Sequence, residues 1–174
     1  EGLNKLEIKG DELDGILITH EHSDHIKGLG VFSRKYEIPI YATPGTIAGI
    51  KESSSLGKMP EGLLHPIKAD HPFQLGELDV HPFAISHDAN EPSGYRIEQG
   101  GKSVAVATDL GKYDDYTVKN LKNLDAILLE ANHDIHMLEV GPYPYPLKRR
   151  VMGDRGHLSN ENAGRLLCRL LHDN

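Results

Sequence analysis

Four side chains able to hold a metal ion fall within six positions: His20, His22, Asp24 and His25. They follow directly on the apolar run Ile16-Leu17-Ile18. A buried strand has no use for three imidazoles and a carboxylate at its exit, because each must give up water. A metal centre does, since imidazole nitrogen and carboxylate oxygen are donors that divalent ions take. If the strand continues through His22, His20 and His22 point to one face, because side chains alternate with period two. Two imidazoles on one face can share one ion. Asp24 and His25 lie past the strand, where the chain turns into a helix, and reach a second ion nearby.

Three further apolar runs end in the same kind of residue. Leu78–Ile85 delivers Ser86-His87-Asp88, Val104–Ala107 delivers Asp109, and Ala126–Leu129 delivers Glu130 with His133 just beyond. In layered α/β folds, sites collect where strands give way to loops at one edge of the sheet. An aspartate such as Asp109 can bridge two ions with its two oxygens. Cys168 is the single cysteine, so a multi-thiolate site is excluded. Nitrogen and oxygen donors then suit zinc, manganese or iron. Each residue alone has an ordinary alternative. Ser23 or Asp24 fits a helix N-cap, His87 a turn, and Asp109 a turn ahead of Leu110-Gly111. The metal reading rests on recurrence at four strand ends.

The elements that must position these residues alternate along the chain. Apolar spacing predicts a strand over 14–19, covered on both sides. A helix over 26–36 follows, with Ile26, Leu29 or Gly30, and Phe32 or Ser33 inward. Next come a strand over 38–42 and a helix from Ile47 to about Lys51, with Pro44 at its start. The Ser/Gly/Pro-rich stretch 52–61 is a loop. Short strands are expected at 65–67, 72–75 and 78–85. A hairpin then pairs 93–98 with 103–108 across Gln99-Gly100-Gly101-Lys102. Val104–Ala107 and Ala126–Leu129 read as buried strands, with a helix over 114–123 between them. Short helices lie around Met137 and Leu138. A last helix runs from about Ser159 to His172, with Ser159 as cap and Asn162 at its third position. Cys168, set in Leu166-Leu167-Cys168-Arg169-Leu170-Leu171, reads as a small core residue. No internal repeat or boundary divides 1–174, which predicts one α/β layered domain.

The net charge is −7 over 174 residues. An acidic surface exerts no general pull on nucleic acid, so an anionic substrate must be captured locally, by ions or a basic patch. Lys148, Arg149, Arg150 and Arg155 are the one concentrated basic stretch. Such runs are commonly solvated surface; contact with a phosphate backbone is an equal reading here. Tyr143 and Tyr145 lie alongside, where packing is the commoner role and stacking on single-stranded bases the other. There is no apolar run near 18 residues and no signal peptide at the start. A soluble, cytoplasmic protein without membrane contact is therefore expected.

The wording around these residues is similar to a known family. Thr19-His20-Glu21-His22-Ser23-Asp24-His25 matches the HxHxDH signature of the metallo-β-lactamase superfamily, and His87 and Asp109 sit where its next ligands fall. Ser86-His87-Asp88-Ala89, Ala107-Thr108-Asp109-Leu110-Gly111, Glu130-Ala131-Asn132-His133-Asp134 and Arg155-Gly156-His157-Leu158-Ser159-Asn160 narrow it. Across nearly the whole chain it resembles the bacterial YycJ/WalJ family, metal-dependent phosphodiesterases related to tRNase Z. The resemblance implies a layered αββα metallo-β-lactamase fold. It also implies that the N- and C-terminal strands of that fold, including one more ligand histidine, are missing from 1–174. His172 is a poor substitute, being placed on the last helix.

The implied cofactors are two divalent metal ions (Zn, Mn or Fe). His20, His22, His87 and Asp109 complete one site, and Asp24, His25 and Asp109 form the second. The implied activity is 5′-to-3′ exonuclease cleavage of DNA, single-stranded or nicked, by a metal-activated hydroxide. Asp24 would orient the hydroxide and take its proton, while Glu130 would orient His157 as proton donor to the leaving oxygen. His133 and the basic stretch would contact substrate. Two alternatives stand beside it: hydrolysis of a small ester, thioester or cyclic nucleotide on the same fold, and a non-catalytic metal-binding module.

Overall fold

The computed structural model describes residues 2–171. A short helix α1 (Gly2–Lys5) and a 3₁₀ turn (Gly10–Glu12) lead into β1 (Ile16–Leu17). With β2 (Ile40–Ala42) and β3 (Leu64–Pro66), β1 forms a parallel sheet in the order β1-β2-β3. Parallel neighbours need crossovers. The first is α2 (Ser23–Ile26) with α3 (Leu29–Tyr36); the second is α4 (Pro44–Glu52) with a 3₁₀ turn (Ser54–Leu56). Thr43 caps α4 by accepting from the Thr46 N–H, and Pro44 takes the first helical turn, where no donor is missed.

The second sheet contains β4 (Phe73–Leu75), β5 (Leu78–Ala84), β6 (Ser93–Gln99), β7 (Lys102–Ala107) and β8 (Ala126–Leu129), in that order. Pairing is antiparallel as far as β7, and β8 then runs parallel to it after the crossover helix α5 (Asp115–Leu121). The β6–β7 hairpin turns on Gly100 and Gly101, both at positive φ (56° and 76°). A two-residue turn twisted this way favours glycine at both places. Helices α6 (Ile135–Val140), α7 (Tyr145–Met152) and α8 (Asn160–Leu171) follow. Among the described residues, no helix is long and apolar enough to cross a membrane.

Three apolar clusters set the layers. Ile26, Leu29, Ile47 and Ile50 from the helices pack on Ile40 and Ala42 of the first sheet. Val118, Leu121, Leu166 and Leu170 of α5 and α8 pack on Phe83, Ala105 and Ala107 of the second. Between the sheets, Val80 and Tyr95 meet Leu17, Tyr41 and Phe73. This is the αββα order. Full burial of each Leu, Ile or Phe contributes roughly 1.5–3 kcal/mol.

The structure departs from the sequence expectations in several places. The strand predicted over 14–19 ends at Leu17 instead of running through His22. Its ladder closes with Ile18 N–H to the Tyr41 carbonyl. The Ile18 carbonyl then accepts from the Tyr95 hydroxyl at 2.7 Å, and the Thr19 carbonyl from Ser93 N–H at 2.9 Å. Both acceptors have turned to the second sheet, so the chain peels away as it reaches His20. The helix expected over 26–36 begins at Leu29 after a break at Gly28, a weak helix former. Val104 and Leu128, expected to be buried, are 41% and 61% exposed. Their face of β7 and β8 continues that of Tyr95 and Ile97 through the register, but lies past the reach of the three-stranded sheet. Cys168 is exposed, because α8 buries the face of Ala163, Leu166 and Leu170 instead. Ser159 caps that helix through the N–H of Asn162. The placement of His172 lies outside the described residues.

Tyr95 is the tie that sets where β1 ends. Tyr95→Phe keeps the ring but orphans the buried Ile18 carbonyl, costing about 1–3 kcal/mol. The expected outcome is a lower urea midpoint with an unchanged far-ultraviolet circular dichroism spectrum.

Candidate metal centre

His20 is completely buried at the point where the chain leaves β1. Its Nδ1 lies 3.2 Å from the Thr19 hydroxyl, and its Nε2 is buried with no hydrogen-bond partner. His22 follows in extended backbone and serves as the residue before α2. Its Nε2 lies 3.3 Å from the Asp88 carbonyl. His87, at the exit of β5, sets its Nδ1 2.9 Å from the Gly156 carbonyl. A carbonyl only accepts, so both of those ring nitrogens carry the proton. The two left over, His87 Nε2 and His22 Nδ1, then face each other as bare lone pairs 3.3 Å apart. Together with His20 Nε2 they form a converging trio. Two facing lone pairs repel each other and the His20 nitrogen beside them has no partner, and a cation among the three answers both. The residues present fit a divalent metal ion.

A second group contains His20, His25 and Asp109, and a third His87, Asp109 and His157. Asp109 divides its oxygens between them. Oδ2 lies 3.2 Å from His25 Nε2, while Oδ1 lies 3.5 Å from His157 Nδ1 and 4.0 Å from His87 Nε2. Its φ is +56°, a left-handed conformation that a residue with a side chain holds only under constraint. The strained turn after β7 aims the carboxylate between the groups. Asp24, expected beside His25 and Asp109, instead stands at the rim. Its Oδ2 is 3.7 Å from His25 Nε2 and its side chain is 75% exposed. Neither Ser23 nor Asp24 is the N-cap of α2; both lie inside its first turn.

Beyond β8 the chain pairs with the segment before α8, through Asn132 N–H to the Leu158 carbonyl and Asn160 N–H to the His133 carbonyl. This brings Glu130 and His157 together. Glu130 Oε1 accepts from His157 Nδ1 at 2.7 Å, and Oε2 accepts from the N–H groups of Leu110 and Leu158 at 2.7 and 3.1 Å. Glu130 is thus neither a helix cap nor a surface acid; it pins the Asp109 turn and the His157 loop at once. His133 is near the same pair, and Asp134 caps α6 through Met137 N–H.

The basic stretch divides. Arg150 Nε and Nη2 lie 2.5 and 3.2 Å from the Asp88 carboxylate. Arg155 turns inward, donating to the His87 and Ala89 carbonyls at 3.1 and 3.4 Å. It braces the ligand loop instead of standing open to a phosphate. Lys148 donates to the Glu139 carbonyl at the end of α6, and Arg149 is exposed. Asp88 is the residue the sequence reading passed over. Its Oδ1 lies 3.4 Å from His87 Nε2 and 3.7 Å from His22 Nε2. Its place directly after His87 was the available signal. Gly156 is the other. A Cβ on it would come within 2.2 Å of the Arg150 and Val151 carbonyls, so this loop lies flat on α7.

Electrostatics follow burial. Desolvation, and then the neighbouring His25, His22 and His87, push His20 down to about 3. Desolvation also lowers His87 against the pull of the Gly156 carbonyl. Both are therefore neutral imidazoles, the form that binds metal. Hydrogen bonding to Glu130 raises His157. Burial pushes Glu130 up, but His157 and the two backbone N–H groups outweigh it and leave it lowered. Asp24 is lowered too: its slight desolvation is outweighed by its own backbone N–H and by His25, His20 and His22.

A family profile described as "Beta-lactamase superfamily domain" matches residues 4–172. An exodeoxyribonuclease WalJ of Streptococcus pneumoniae is 40% identical over 169 residues, covering 97% of this chain and 63% of the relative. An exodeoxyribonuclease YycJ of Bacillus anthracis is 37% identical over 167 residues, covering 96% and 62%. The chain thus spans less than two thirds of the length of these curated relatives. Among solved structures, the metallo-β-lactamase fold protein YhfI of Bacillus subtilis superposes with a TM-score of 0.68 at 19% identity, covering 97% of this chain and 65% of the other. Zn²⁺-bound PqqB of Methylobacterium extorquens gives 0.66 at 21% identity, covering 83% and 54%. At these identities the superpositions establish the fold.

Two outcomes are expected of the metal-free chain. Unfolded His20 takes a proton below about 6.5, while the folded residue stays neutral down to about 3. The unfolded state therefore binds more protons in that window, and stability falls as pH drops from about 6.5 toward 3. Urea midpoints measured across the window check the slope, which His20→Gln flattens. At neutral pH, a divalent ion at one hundred times its Kd adds about 2.7 kcal/mol, visible as a rise in Tm that a chelator reverses.

Proposed function

The chain belongs to the β-lactamase superfamily, and on that premise we propose that it is a metal-dependent phosphodiesterase acting as a 5′-to-3′ exonuclease on DNA. The observation that carries this reading is the Glu130–His157 pair at 2.7 Å, set 3.5 Å from the carboxylate that links the ligand groups. A binding centre needs no proton donor beside it, whereas cleavage of a phosphodiester must protonate the departing oxygen. The names of the two curated relatives support a DNA substrate, and we take the strand to be single-stranded or nicked.

His20, His22 and His87 would hold one ion, zinc, manganese or iron. His25, Asp109 and Asp24 would hold a second, with Asp109 shared. Bound ions supply Lewis-acid charge at the phosphoryl oxygens and lower the pKa of water. The remaining work falls to the chain. Asp24, at the rim and ionised, accepts the proton of the attacking water. Glu130 fixes the Nδ1 proton of His157, which keeps Nε2 free to deliver its own proton to the leaving oxygen. Because Glu130 raises its pKa, His157 stays protonated to higher pH than a free imidazole, as a general acid requires. Arg149, Arg150 and His133 face the approaching strand, and Lys148 and Arg155 hold the surface on which it lies.

Incubation with 5′-phosphorylated single-stranded DNA and Mn²⁺ should release mononucleotides from the 5′ end. Asp24→Ala and His157→Ala should each cost roughly 10²–10⁴ in kcat, the usual worth of a positioned acid or base. The rate should fall as pH rises through the elevated His157 pKa, and Glu130→Gln should move that alkaline limb to lower pH. Equal cleavage by Asp24→Ala and the unaltered chain sinks the mechanism.

A further inference from the structure

Helices α6 and α7 carry an apolar surface that the reaction as described leaves unused. Met137 is 72% exposed, Val140 69%, Tyr143 55% and Tyr145 70%. Exposed aromatic and aliphatic side chains this concentrated mark a binding surface more often than an accident of folding. Met137, Val140 and Tyr143 line a cleft of about 500 Å³ together with His133, Asp134, Leu138 and Pro142, and Tyr145 follows just outside it. That volume lies within the range of small-molecule sites. Within these residues, Tyr143 and Tyr145 have not taken the packing role that tyrosines commonly take.

The cleft adjoins the metal centre through His133. His133 forms one wall, and its main chain pairs with Ser159, two residues after His157. Arg150 reaches from α7 to Asp88 beside His22 and His87. Lys148 ties α7 back to the end of α6 through the Glu139 carbonyl. Lys148, Arg149 and Arg150, the one basic concentration in a chain of net charge −7, lie on the neighbouring α7, where Lys148 is held beside Val140 of the cleft by its bond to Glu139. An apolar slot beside the proposed phosphodiester-cleaving centre, with Lys148 held at the end of α6, has a specific complement. The occupant must present a flat apolar face and, one sugar unit away, negative charge.

Building on the exonuclease reading, we propose that the α6–α7 cleft receives a single nucleobase of the DNA strand whose scissile phosphate lies at the metal centre. The base stacks on Tyr143 against Met137 and Val140, while Arg149 and Arg150 take the flanking phosphates. Recognition is by the π face and is therefore tolerant of sequence. It also requires an unpaired base, since the faces of a base held in a duplex are covered by its stacked neighbours.

The test is equilibrium binding of 5′-phosphorylated single-stranded oligonucleotides in Ca²⁺, by fluorescence anisotropy. One abasic site is walked through the positions nearest the 5′ end. Stacking on an aromatic side chain is worth roughly a 5- to 150-fold change in Kd. The abasic site should weaken binding by about that factor at one position and leave the others unchanged. Tyr143→Ala should give the same loss on the intact strand and no further loss on that abasic strand, while Tyr143→Phe restores binding. Val31→Ala, an exposed apolar residue of α3, serves as the unaffected control. Uniform affinity across the abasic series overturns the proposal, as does an equal loss for Tyr143→Ala on every strand. So does a concentration-dependent dimer abolished by Tyr143→Ala in sedimentation, which gives the cleft to a second copy.

Hydrolysis of bis(4-nitrophenyl) phosphate with Mn²⁺, a diester without a base, separates the two readings. If that diester and the strand are cleaved but the abasic series is flat, only the cleft assignment fails. If the chain neither binds the strand nor cleaves either diester, the cleft assignment falls together with the exonuclease reading.

Discussion

His22 and His87 turn unprotonated nitrogens toward each other beside the unpartnered Nε2 of His20, and a metal-free fold must tolerate that crowding. Each of the three rings has its other nitrogen beside an oxygen: the Thr19 hydroxyl, the Asp88 carbonyl and the Gly156 carbonyl. For His22 and His87 the carbonyl decides which nitrogen stays bare. A charged imidazolium would relieve the crowding, but burial holds His20 and His87 neutral. Much of the architecture around them serves to keep those rings from rotating away.

That architecture is a set of ties between layers. The first sheet contributes only the approach of β1 to His20. Tyr95 and Ser93 of β6 take the next two carbonyls and so decide where that approach stops. Glu130 makes a comparable junction on the other side. With one carboxylate it holds the Asp109 turn, the His157 ring and the start of the final helical segment. The candidate ligand Asp109 and the proposed proton donor His157 thus share a support. A change that loosens Glu130 disturbs Asp109 as well, and damage there cannot be assigned to a single step of the reaction.

Much of this was legible in the residues. The spacing of His20, His22, Asp24 and His25 announced a cation, and the apolar runs before His87, Asp109 and Glu130 placed three more candidates at strand ends. The reason first given for His20 and His22 sharing an ion did not hold. They converge because the chain leaves the sheet at Ile18, a bend made by donors on β6, Tyr95 O–H and Ser93 N–H, that lie more than seventy residues away in sequence. Exposure was illegible for a related reason. Val104-Ala105-Val106-Ala107 states that a strand is apolar, and nothing in it states how far the opposing sheet extends. Arg155 shows the same limit with charge. Its basic neighbours suggested a phosphate, but two carbonyls of the His87 loop lay within reach and took it.

Gly156 carries no chemistry, yet its carbonyl receives the His87 proton while its Cα rests against the last turn of α7. A single methyl group there would strike the Arg150 and Val151 carbonyls, and one on Gly111 would strike the Asp154 carbonyl at 2.4 Å and the Gly156 nitrogen at 2.6 Å. The two loops therefore interlock at backbone contact distance, with no compressible side chain between them. A side chain at either glycine must shift the backbone of both loops, although neither glycine carries a metal-binding group. Variants there would keep every ligand in place by composition and lose the alignment of their lone pairs.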